Sequence, residues 1–188
     1  MVIQGTQVVR RIVAKAFGPA GTSYSVSIDN REARPYKQGS KIVQGIRPMN
    51  PFERRGVRQM QLVVQEIDDA IGDGTKTGII LAQEMMERGS ELLSRGSQHG
   101  DVIRGMKMAV ERAVEGLRRH AKAVRGEELR KVAATAAMSD ETGELVAEAL
   151  IESVRMGLLQ SSNRDSQQQN SMWWKVWSLI GAICRNTS

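Results

Sequence analysis

The chain has 188 residues, of which 40% are hydrophobic and 26% charged, the composition of a globular protein with room for one domain and part of another. Its single cysteine excludes an intrachain disulfide framework, and no apolar run reaches the ~20 residues that a membrane-spanning helix needs. The net charge is +6, but basic and acidic residues are interspersed, which favours a solvated charged surface over a nucleic-acid-binding stripe.

The first 50 residues predict a helix followed by a small hairpin. Apolar residues such as Val2, Val9 and Ile12 fall on one side of a helix over residues 1–16, which ends at FGPAG. In SYSVSID, apolar residues alternate with serines, the period of a half-buried strand. A polar connection through residues 37–39 leads into KIVQGI, where we predict the second strand.

From Pro51 onward the apolar period is that of helices, and the fold class is predicted to be mainly α. We expect helices over 51–71, from about Thr77 to Leu93, from Asp101, from near Gly126 and after Ser139. Only 4% of the residues are aromatic, so the core must be built from aliphatic side chains and methionine. The apolar face of the first of these helices comprises Val57, Met60, Val64, Ile67 and Ile71, and that of the third comprises Ile103, Met106, Val110, Ala113 and Leu117.

The segment GDGTKT, residues 72–77, stands between two predicted helices and has two interpretations. It is either a plain interhelical turn or a phosphate-binding turn, because the N-terminus of a helix attracts anions and glycines allow close approach to the backbone. In the second interpretation Thr75 and Thr77 offer hydroxyl groups, and Asp73 is a ligand for a Mg²⁺ ion that bridges phosphate oxygens. The glycine spacing is not that of the lysine-terminated P-loop.

Several segments, in the same order and with nearly the same spacing, resemble the group I chaperonins, the GroEL-like family. The glycine segment, in its context IGDGTKTGIILAQEM, is similar to the nucleotide-binding turn of that family. The resemblance covers about residues 2–154. The other segments that carry it are VVRRIVAKAFGPAG, YKQGSKIVQGI, PFERRGVRQMQLVVQEIDDA, VIRGMKMAVERAVEGL and VAATAAMSDETGELVAEAL.

The resemblance implies a fold, a cofactor and a set of binding residues. Residues 1–120 would be the N-terminal half of an equatorial, ATP-binding domain, a helical bundle with a small β-hairpin, and residues 121–154 the start of an intermediate domain. The cofactors would be ATP and Mg²⁺, with Asp73 as the metal ligand. The implied cofactor-binding residues are Ala16, Phe17, Gly18, Pro19, Lys37, Asp73, Gly74, Thr75, Lys76 and Thr77.

The resemblance also implies partners. Family members form stacked homo-oligomeric rings and use ATP to assist the folding of unfolded polypeptides, together with a co-chaperonin. For this chain we expect unfolded polypeptides and a co-chaperonin as partners of the full-length parent, a ring only doubtfully, and neither nucleic acid nor membrane. The expected location is cytoplasmic, with the mitochondrial matrix as the alternative.

The sequence departs from the family in three ways. The family has an aspartate beside the Lys37 position, where this chain has Gln38, which cannot act as a base. Lys76 replaces a threonine, and its side chain could strengthen phosphate binding or point into solvent. The resemblance ends before the apical domain and the second half of the equatorial domain, which supplies the main hydrolytic aspartate of the family. We therefore expect a truncated subunit with a partial site and impaired turnover, and no confident catalytic residue.

Residues 155–188 differ in composition from the rest, since the polar stretch SSNRDSQQQNS is followed by the aromatic and apolar stretch MWWKVWSLIGAI. As protein, the second stretch predicts an interfacial membrane anchor or an aggregation-prone patch. The genetic code offers a third interpretation. Met and Trp have single codons, so MWWK is encoded by ATG TGG TGG AAR, and reading from the third base gives Val-Val-Glu. The next segment of the family reads much like VVEG…DRGYLS, which favours a frameshift between about Arg155 and Gln167 and a non-homologous, disordered tail.

Other residues receive plainer interpretations. His99 and His120 have no partner at metal-ligand spacing, and methionines such as Met60, Met86 and Met108 are predicted to fill the core. Two rival functions stay open from the residues: a catalytically inactive helical fragment that serves as an interaction module or has no function, and a basic nucleic-acid-binding protein.

Overall fold

The computed structural model describes residues 2–28, 32–137 and 139–155, and these are predominantly helical. The expectations for the tail, including the frameshift and the tryptophan-rich segment, lie outside the described residues. The elements in chain order are α1 (Val2–Lys15), β1 (Tyr24–Val26), β2 (Arg34–Tyr36), α2 (Gly39–Gln44), α3 (Pro51–Ile71), α4 (Thr75–Ser94), α5 (His99–His120), α6 (Glu127–Ala137) and α7 (Asp140–Arg155). The described residues fall into two compact units, divided within α5 between residues 109 and 110.

The core of the first unit lies between α1, α2, α3 and α4. The largest fully buried side chains include Ile42, Met60 and Ile79. These side chains come from three different helices, so the apolar faces predicted for the helices converge on one core. The complete buried cluster is Val9, Val13, Ala16, Ile42, Val43, Val57, Met60, Val63, Val64, Ile79, Ala82 and Met86.

The prediction of a second strand in KIVQGI is wrong. The hairpin pairs β1 with β2 in antiparallel register, with Tyr24 opposite Tyr36. KIVQGI instead contributes most of the short helix α2 and its C-terminal Gly45. Ile42 and Val43, whose β-branched side chains favour a strand, are both buried in the core, and the Val43 carbonyl accepts a hydrogen bond from Gln61 Nε2 at 3.1 Å. Tertiary packing against α3 therefore overrides the local propensity.

Helix α3 begins and ends as its sequence predicts. The side chain of Asn50 accepts a hydrogen bond from the Phe52 amide at 2.9 Å, and Pro51 occupies the first turn, where its missing N–H is not needed. The helix ends at Gly72, which has a left-handed φ of 77° and donates its amide hydrogen to the Asp68 carbonyl at 2.8 Å. The end of α3 is therefore fixed immediately before GDGTKT.

Helices α1 and α3 pack with their backbones in contact. A Cβ atom at Gly5 would lie 2.1 Å from the Glu53 carbonyl oxygen, and one at Gly56 would lie 2.1 Å from the Val2 carbonyl oxygen. No side chain fits at either position, so the two glycines fix how closely the helices approach.

Helix α4 runs antiparallel to α1, as three contacts along its length show. The start of α4 meets the end of α1 through Lys76 and Ala16, whose contact is 3.0 Å long. Further along, Glu84 pairs with Arg10 at 3.5 Å, and Glu87 Oε1 accepts a hydrogen bond from Gln7 Nε2 at 3.1 Å. The residue after α1 therefore lies beside the N-terminus of α4.

The second unit contains the pair α6 and α7. A Cβ atom at Gly143 would lie 2.3 Å from Ala134 Cα, so these helices also meet through a glycine. Arg130 pairs with Glu144 and lies 3.9 Å from Glu148. Ser139 caps α7, since its Oγ accepts a hydrogen bond from the Thr142 amide at 3.2 Å, as the sequence predicts.

Helix α5 forms as predicted, but its apolar face is only partly covered within the described residues. Ile103, Met106 and Val110 are half-buried and none of its residues is fully buried, while Leu117 is 70% exposed. The methionine prediction holds for Met60 and Met86, which are buried, and fails for Met108, which is 61% exposed.

Two searches of the described residues concern membrane and metal. None of the described helices has the length and apolar character needed to cross a bilayer. Among residues 2–28, 32–137 and 139–155, no three His, Cys, Asp or Glu side chains are grouped to hold a metal ion by themselves.

The glycine contact between α1 and α3 predicts a specific sensitivity. Gly56→Ala should lower the free energy of unfolding by about 1–3 kcal/mol, because its methyl group overlaps backbone atoms. Gly105→Ala in α5 is the control, because a Cβ atom there meets no atom within 4 Å. That variant should be neutral or stabilising by up to about 1 kcal/mol through helix propensity. Urea unfolding followed by circular dichroism measures both, and equal effects would contradict the contact.

The carboxylate of Glu87 joins α1 to α4 and predicts a pH dependence. The hydrogen bond from Gln83 Nε2, at 2.6 Å, is the main cause that holds the pKa of Glu87 below its ordinary value of 4.5. Burial opposes this effect, while Gln7, Arg10 and Arg88 add to it. A folded-state pKa below the unfolded-state pKa means that the ionised carboxylate stabilises the fold above pH 4.5. This stabilisation is lost as the pH falls through the folded-state pKa.

We therefore expect the wild-type chain to lose more unfolding free energy than Glu87→Gln when the pH is lowered from about 5 to about 3. The control is Glu115→Gln, which removes an exposed carboxylate that pairs with Arg112 on α5. Urea unfolding at each pH measures the difference. Parallel pH curves for the wild type and Glu87→Gln would show that Glu87 does not contribute this dependence.

Candidate phosphate-binding site

The turn between α3 and α4, residues 72–74, is built by two glycines in the left-handed conformation. Gly72 and Gly74 both have a φ of 77°, and a Cβ atom at either position would meet no atom within 4 Å. Between them, exposed Asp73 accepts a hydrogen bond from the Gly74 amide to its Oδ1 at 2.6 Å. We call residues 72–74 the glycine turn. Its backbone is open to approach, and one carboxylate oxygen of Asp73 is already held.

The N-terminus of α4 carries no side-chain cap. Gly74 is the N-cap residue and has no side chain that could accept a hydrogen bond from the first turn, which also contains no acidic residue. The first amide of this region that donates to a backbone carbonyl is that of Gly78, which bonds the Gly74 carbonyl at 2.9 Å. The preceding amides follow the general rule that the first turn of a helix lacks intrahelical partners. The helix start therefore presents N–H donors and the positive end of the helix dipole.

Three residues of this first turn differ in exposure. Thr75 is buried, with 7% of its surface exposed, whereas Thr77 is exposed. The sequence left two courses open for the side chain of Lys76, phosphate binding and extension into solvent. Its Nζ donates a hydrogen bond to the Ala16 carbonyl at 3.0 Å, so it does not simply extend into solvent, and its part in phosphate binding stays a prediction.

The segment that follows α1, residues 16–22, forms a second turn, which we call the Ala16 turn. The Gly21 amide donates to the Gly18 carbonyl at 3.1 Å, and the Thr22 amide donates to the Lys15 carbonyl at 2.9 Å. Gly18 has a φ of 80°, which an L side chain rarely adopts. Ala16 is fully buried, whereas Phe17 is 49% exposed. The turn is therefore anchored in the core at its first residue and exposed to solvent at its second.

The start of α2 is the third segment of the site. A Cβ atom at Gly39 would lie 2.7 Å from Lys76 Cγ and 2.8 Å from Thr75 Oγ1, so the backbone here packs directly on the start of α4. The preceding residue, Gln38, is exposed and is the N-cap of α2, although its side chain makes no capping hydrogen bond. Lys37 is half-buried. Gly39 was missed from the sequence, because its contact becomes visible only once α2 and α4 are placed together.

The structure thus brings together three segments that are distant in sequence. Contacts join the Ala16 turn and the start of α2 to the first turn of α4, and Lys76 takes part in both contacts. The cofactor-binding residues predicted from the sequence all belong to these segments. They are residues 16–19, Lys37 and residues 73–77. Their proximity is a property of the fold, while their role in binding a nucleotide stays a prediction.

The side chains present suit a phosphate accompanied by Mg²⁺. The uncapped amides provide the positive end of the helix dipole, and Thr77 provides an exposed hydroxyl group. Asp73 supplies one carboxylate. Mg²⁺ in proteins is usually bound by one or two carboxylates, and phosphate oxygens and water complete its coordination shell.

A separate positively charged cleft lies at the start of α3. It has a volume of about 890 Å³ and is lined by the side chains of Arg47, Arg54, Arg55 and Arg58, among others, but by no residue of the glycine turn. It lacks the left-handed glycines and the uncapped helix start that distinguish the α4 site. We therefore place the candidate phosphate site at the start of α4 and not in this cleft.

Comparison with known proteins identifies the family. The profile of the TCP-1/cpn60 chaperonin family matches residues 9–180 of this chain. The chain belongs to this family. The matched range includes part of the segment after residue 154 for which we expect no resemblance, and the domain boundaries stay predictions.

Curated relatives agree with this assignment. This chaperonin chain is 30% identical over 161 residues to the 60 kDa heat shock protein homolog 2, mitochondrial, of Drosophila melanogaster, which covers 85% of this chain and 28% of that protein. It is 31% identical over 151 residues to the chaperonin GroEL of Mycoplasma genitalium, covering 79% of this chain and 27% of that protein. The chain therefore spans little more than a quarter of the length of these relatives.

Two solved chaperonin structures share the fold. The chaperonin gp146 from the bacteriophage EL 2 (Pseudomonas aeruginosa), in the presence of ATP-BeFx, matches with a TM-score of 0.66 and 24% identity over 79% of this chain and 26% of that one. A group III chaperonin in the open state matches with a TM-score of 0.67 and 19% identity over 88% of this chain and 32% of that one. At these identities the match shows the fold alone, and it confirms the predicted mainly helical class.

The left-handed backbone of the glycine turn makes a prediction of its own. Gly74→Ala should lower the free energy of unfolding by roughly 1–2 kcal/mol, because an L side chain is disfavoured at this φ. The cost is conformational, since a Cβ atom here meets no neighbour. Gly74→Asn should lose less, because asparagine tolerates the left-handed region better than alanine. Urea unfolding measures both, and an alanine variant at least as stable as the asparagine variant would contradict this conformation.

Proposed function

We propose that this chain contributes a Mg-ATP phosphate site to a chaperonin subunit that assists protein folding in an ATP-dependent manner. Family membership supports the chaperone role. The observation that carries the nucleotide part is the uncapped start of α4, approached through two left-handed glycines and flanked by the Ala16 turn. A plain interhelical turn would need only one left-handed glycine to end α3, and would gain nothing from an uncapped helix start.

Each segment has a role in this proposal. The backbone amides at the start of α4 and the hydroxyl group of Thr77 would hold phosphate oxygens, and Asp73 would hold the Mg²⁺ ion. When bound, the metal ion would neutralise negative charge on the phosphate groups. Gly18 and Pro19 of the Ala16 turn, together with exposed Phe17, would line the nucleotide. Lys37 would approach from the start of α2.

Thr75 has a more structural part in this arrangement. It is buried, and its Oγ1 lies under the backbone of Gly39, so its hydroxyl group is less accessible than that of Thr77. We therefore assign phosphate contact to the Thr77 hydroxyl and packing against α2 to the Thr75 side chain.

We expect the described part of the chain to support only slow ATP hydrolysis. Gln38 occupies the exposed position before α2 and carries no carboxylate, so it can neither accept a proton as a base nor attract a metal ion by charge. The proposal is therefore one of binding more than of rapid hydrolysis. Ring assembly, folding clients, a co-chaperonin and a cytoplasmic or mitochondrial-matrix location remain proposals for the longer protein that the relatives represent.

Replacement of Asp73 tests the proposal. Asp73→Ala should weaken Mg-ATP binding at least about tenfold, because it removes the only carboxylate assigned to the metal, a change of about 1.4 kcal/mol or more in binding free energy. Asp101→Ala is the matched control, since it removes another exposed aspartate from the start of a helix, one whose surface ion pair with Arg104 contributes little. Isothermal titration calorimetry with ATP, with and without Mg²⁺, measures the affinities.

Three results separate the rival functions. Magnesium-dependent ATP binding that is lost in Asp73→Ala and kept in Asp101→Ala supports the proposal. No nucleotide binding by the folded wild-type chain would leave the inactive helical fragment as the better description. Retention of DNA that weakens steeply with salt, and that ATP does not alter, would favour a nucleic-acid-binding protein.

A further inference from the structure

Lys76 is the residue at which the three segments of the candidate site meet. Its backbone belongs to the first turn of α4, its Cγ lies against the backbone of Gly39, and its Nζ bonds the Ala16 carbonyl at 3.0 Å. Both the Cγ atom and the ammonium group of this half-buried side chain therefore contact the protein itself. A lysine whose main task was to bind phosphate would be expected to direct its ammonium group toward the open helix start.

The backbone hydrogen bonds of the Ala16 turn do not by themselves attach it to α4. The bonds from Gly21 to Gly18 and from Thr22 to Lys15 close the turn upon itself and upon the end of α1. The bond from Lys76 reaches across 60 positions of sequence and joins this turn to the helix start. Because the donor is charged, this bond is stronger than an ordinary backbone hydrogen bond.

The Ala16 carbonyl is well placed to pass the effect of the hydrogen bond from Lys76 on to the rest of the Ala16 turn. Ala16 is fully buried in the core cluster, whereas the adjacent Phe17 is 49% exposed, so the bonded carbonyl stands at the junction between the packed core and the exposed part of the turn. Gly21 packs on the same carbonyl group, since a Cβ atom there would lie 2.4 Å from the Ala16 oxygen. A change in how this carbonyl is held is therefore felt by both the first and the last part of the turn.

We propose that Lys76 is a positioning residue, which holds the Ala16 turn against the start of α4 and acts on nucleotide binding through that turn and not as a phosphate ligand. The consequence for binding rests on the proposed nucleotide site, whereas the tether itself does not. Without the ammonium group, the Ala16 turn loses its cross-link to α4, and the surface offered by residues 17–19 is no longer held at a fixed distance from the helix start.

The tether can be tested in the absence of any nucleotide. Lys76→Met keeps most of the aliphatic length and removes the ammonium group, while Lys76→Arg keeps a positively charged donor. Amide hydrogen exchange in peptides that cover residues 16–22 should be faster in Lys76→Met, on the order of tenfold, and close to wild type in Lys76→Arg. Lys107→Met, at an exposed position of α5, is the control and should leave this exchange unchanged. Unchanged exchange in Lys76→Met would overturn the tether.

Nucleotide binding then distinguishes positioning from direct contact. If Lys76 acts through the turn, Lys76→Met should weaken Mg-ATP and Mg-ADP by the same factor, and this factor should not depend on salt concentration. A direct phosphate ligand would give a larger loss for ATP than for ADP, and the loss would shrink at high salt because screening weakens ionic contacts. That second pattern would overturn the proposal.

The two experiments also separate this inference from the proposed function. Wild-type chain that fails to bind Mg-ATP refutes the nucleotide site, and the exchange measurement still decides whether Lys76 tethers the turn. Wild-type chain that binds Mg-ATP, with equal affinities for Lys76→Met and wild type, refutes the positioning role and leaves the nucleotide site intact. Recovery of both exchange and affinity in Lys76→Arg is the result that supports the proposal in full.

Discussion

The contact between the backbones of α1 and α3 is the constraint on which the first unit depends. Gly5 and Gly56 leave no room for a side chain between the helices, so the N-terminal ends of α1 and α3 are held at one short distance. Helix α4 follows α3 after the glycine turn and runs antiparallel to α1, so its start lies beside the end of α1. The Ala16 turn and the glycine turn come to lie on one side because these helices are fixed at the other.

The candidate site is therefore formed by the ends of helices and not by a pocket within the core. The Ala16 turn follows the end of α1, the glycine turn joins α3 to α4, and Gly39 opens α2. Buried residues of the same helices, among them Val13, Val43 and Ile79, form the core immediately behind these ends. Packing determines where the ends lie, and the exposed residues of the turns determine what they can bind.

The sequence predicted those features that depend on local rules. Gly72, Pro51 and Ser139 mark helix boundaries because each satisfies or avoids a backbone hydrogen bond at its own position. KIVQGI was mispredicted because the same β-branched residues suit a strand or a buried helical face, and only the packing of α2 on α3 decides between them. Membership of the chaperonin family followed from several segments in order, a pattern that no single motif carries.

The arrangement of the site could be predicted only in part. The glycine turn follows from its residue types, but the contacts of Lys76 with Ala16 and with Gly39 link positions that no local pattern connects. A lysine in this segment suggests phosphate binding when it is considered alone. Its engagement with a carbonyl 60 residues earlier is a tertiary fact that needs coordinates.

The glycine at the N-cap of α4 links the stability of this helix to what it binds. Most helices complete their first turn with a serine, threonine, aspartate or asparagine side chain, which contributes about 1 kcal/mol. Here that place is held by Gly74, and an anion bound at the proposed phosphate site would supply the missing hydrogen-bond acceptor. A ligand at a hundred times its dissociation constant would add about 2.7 kcal/mol to the stability of the folded chain. Occupancy of the site and order at the start of α4 are thus expected to rise and fall together.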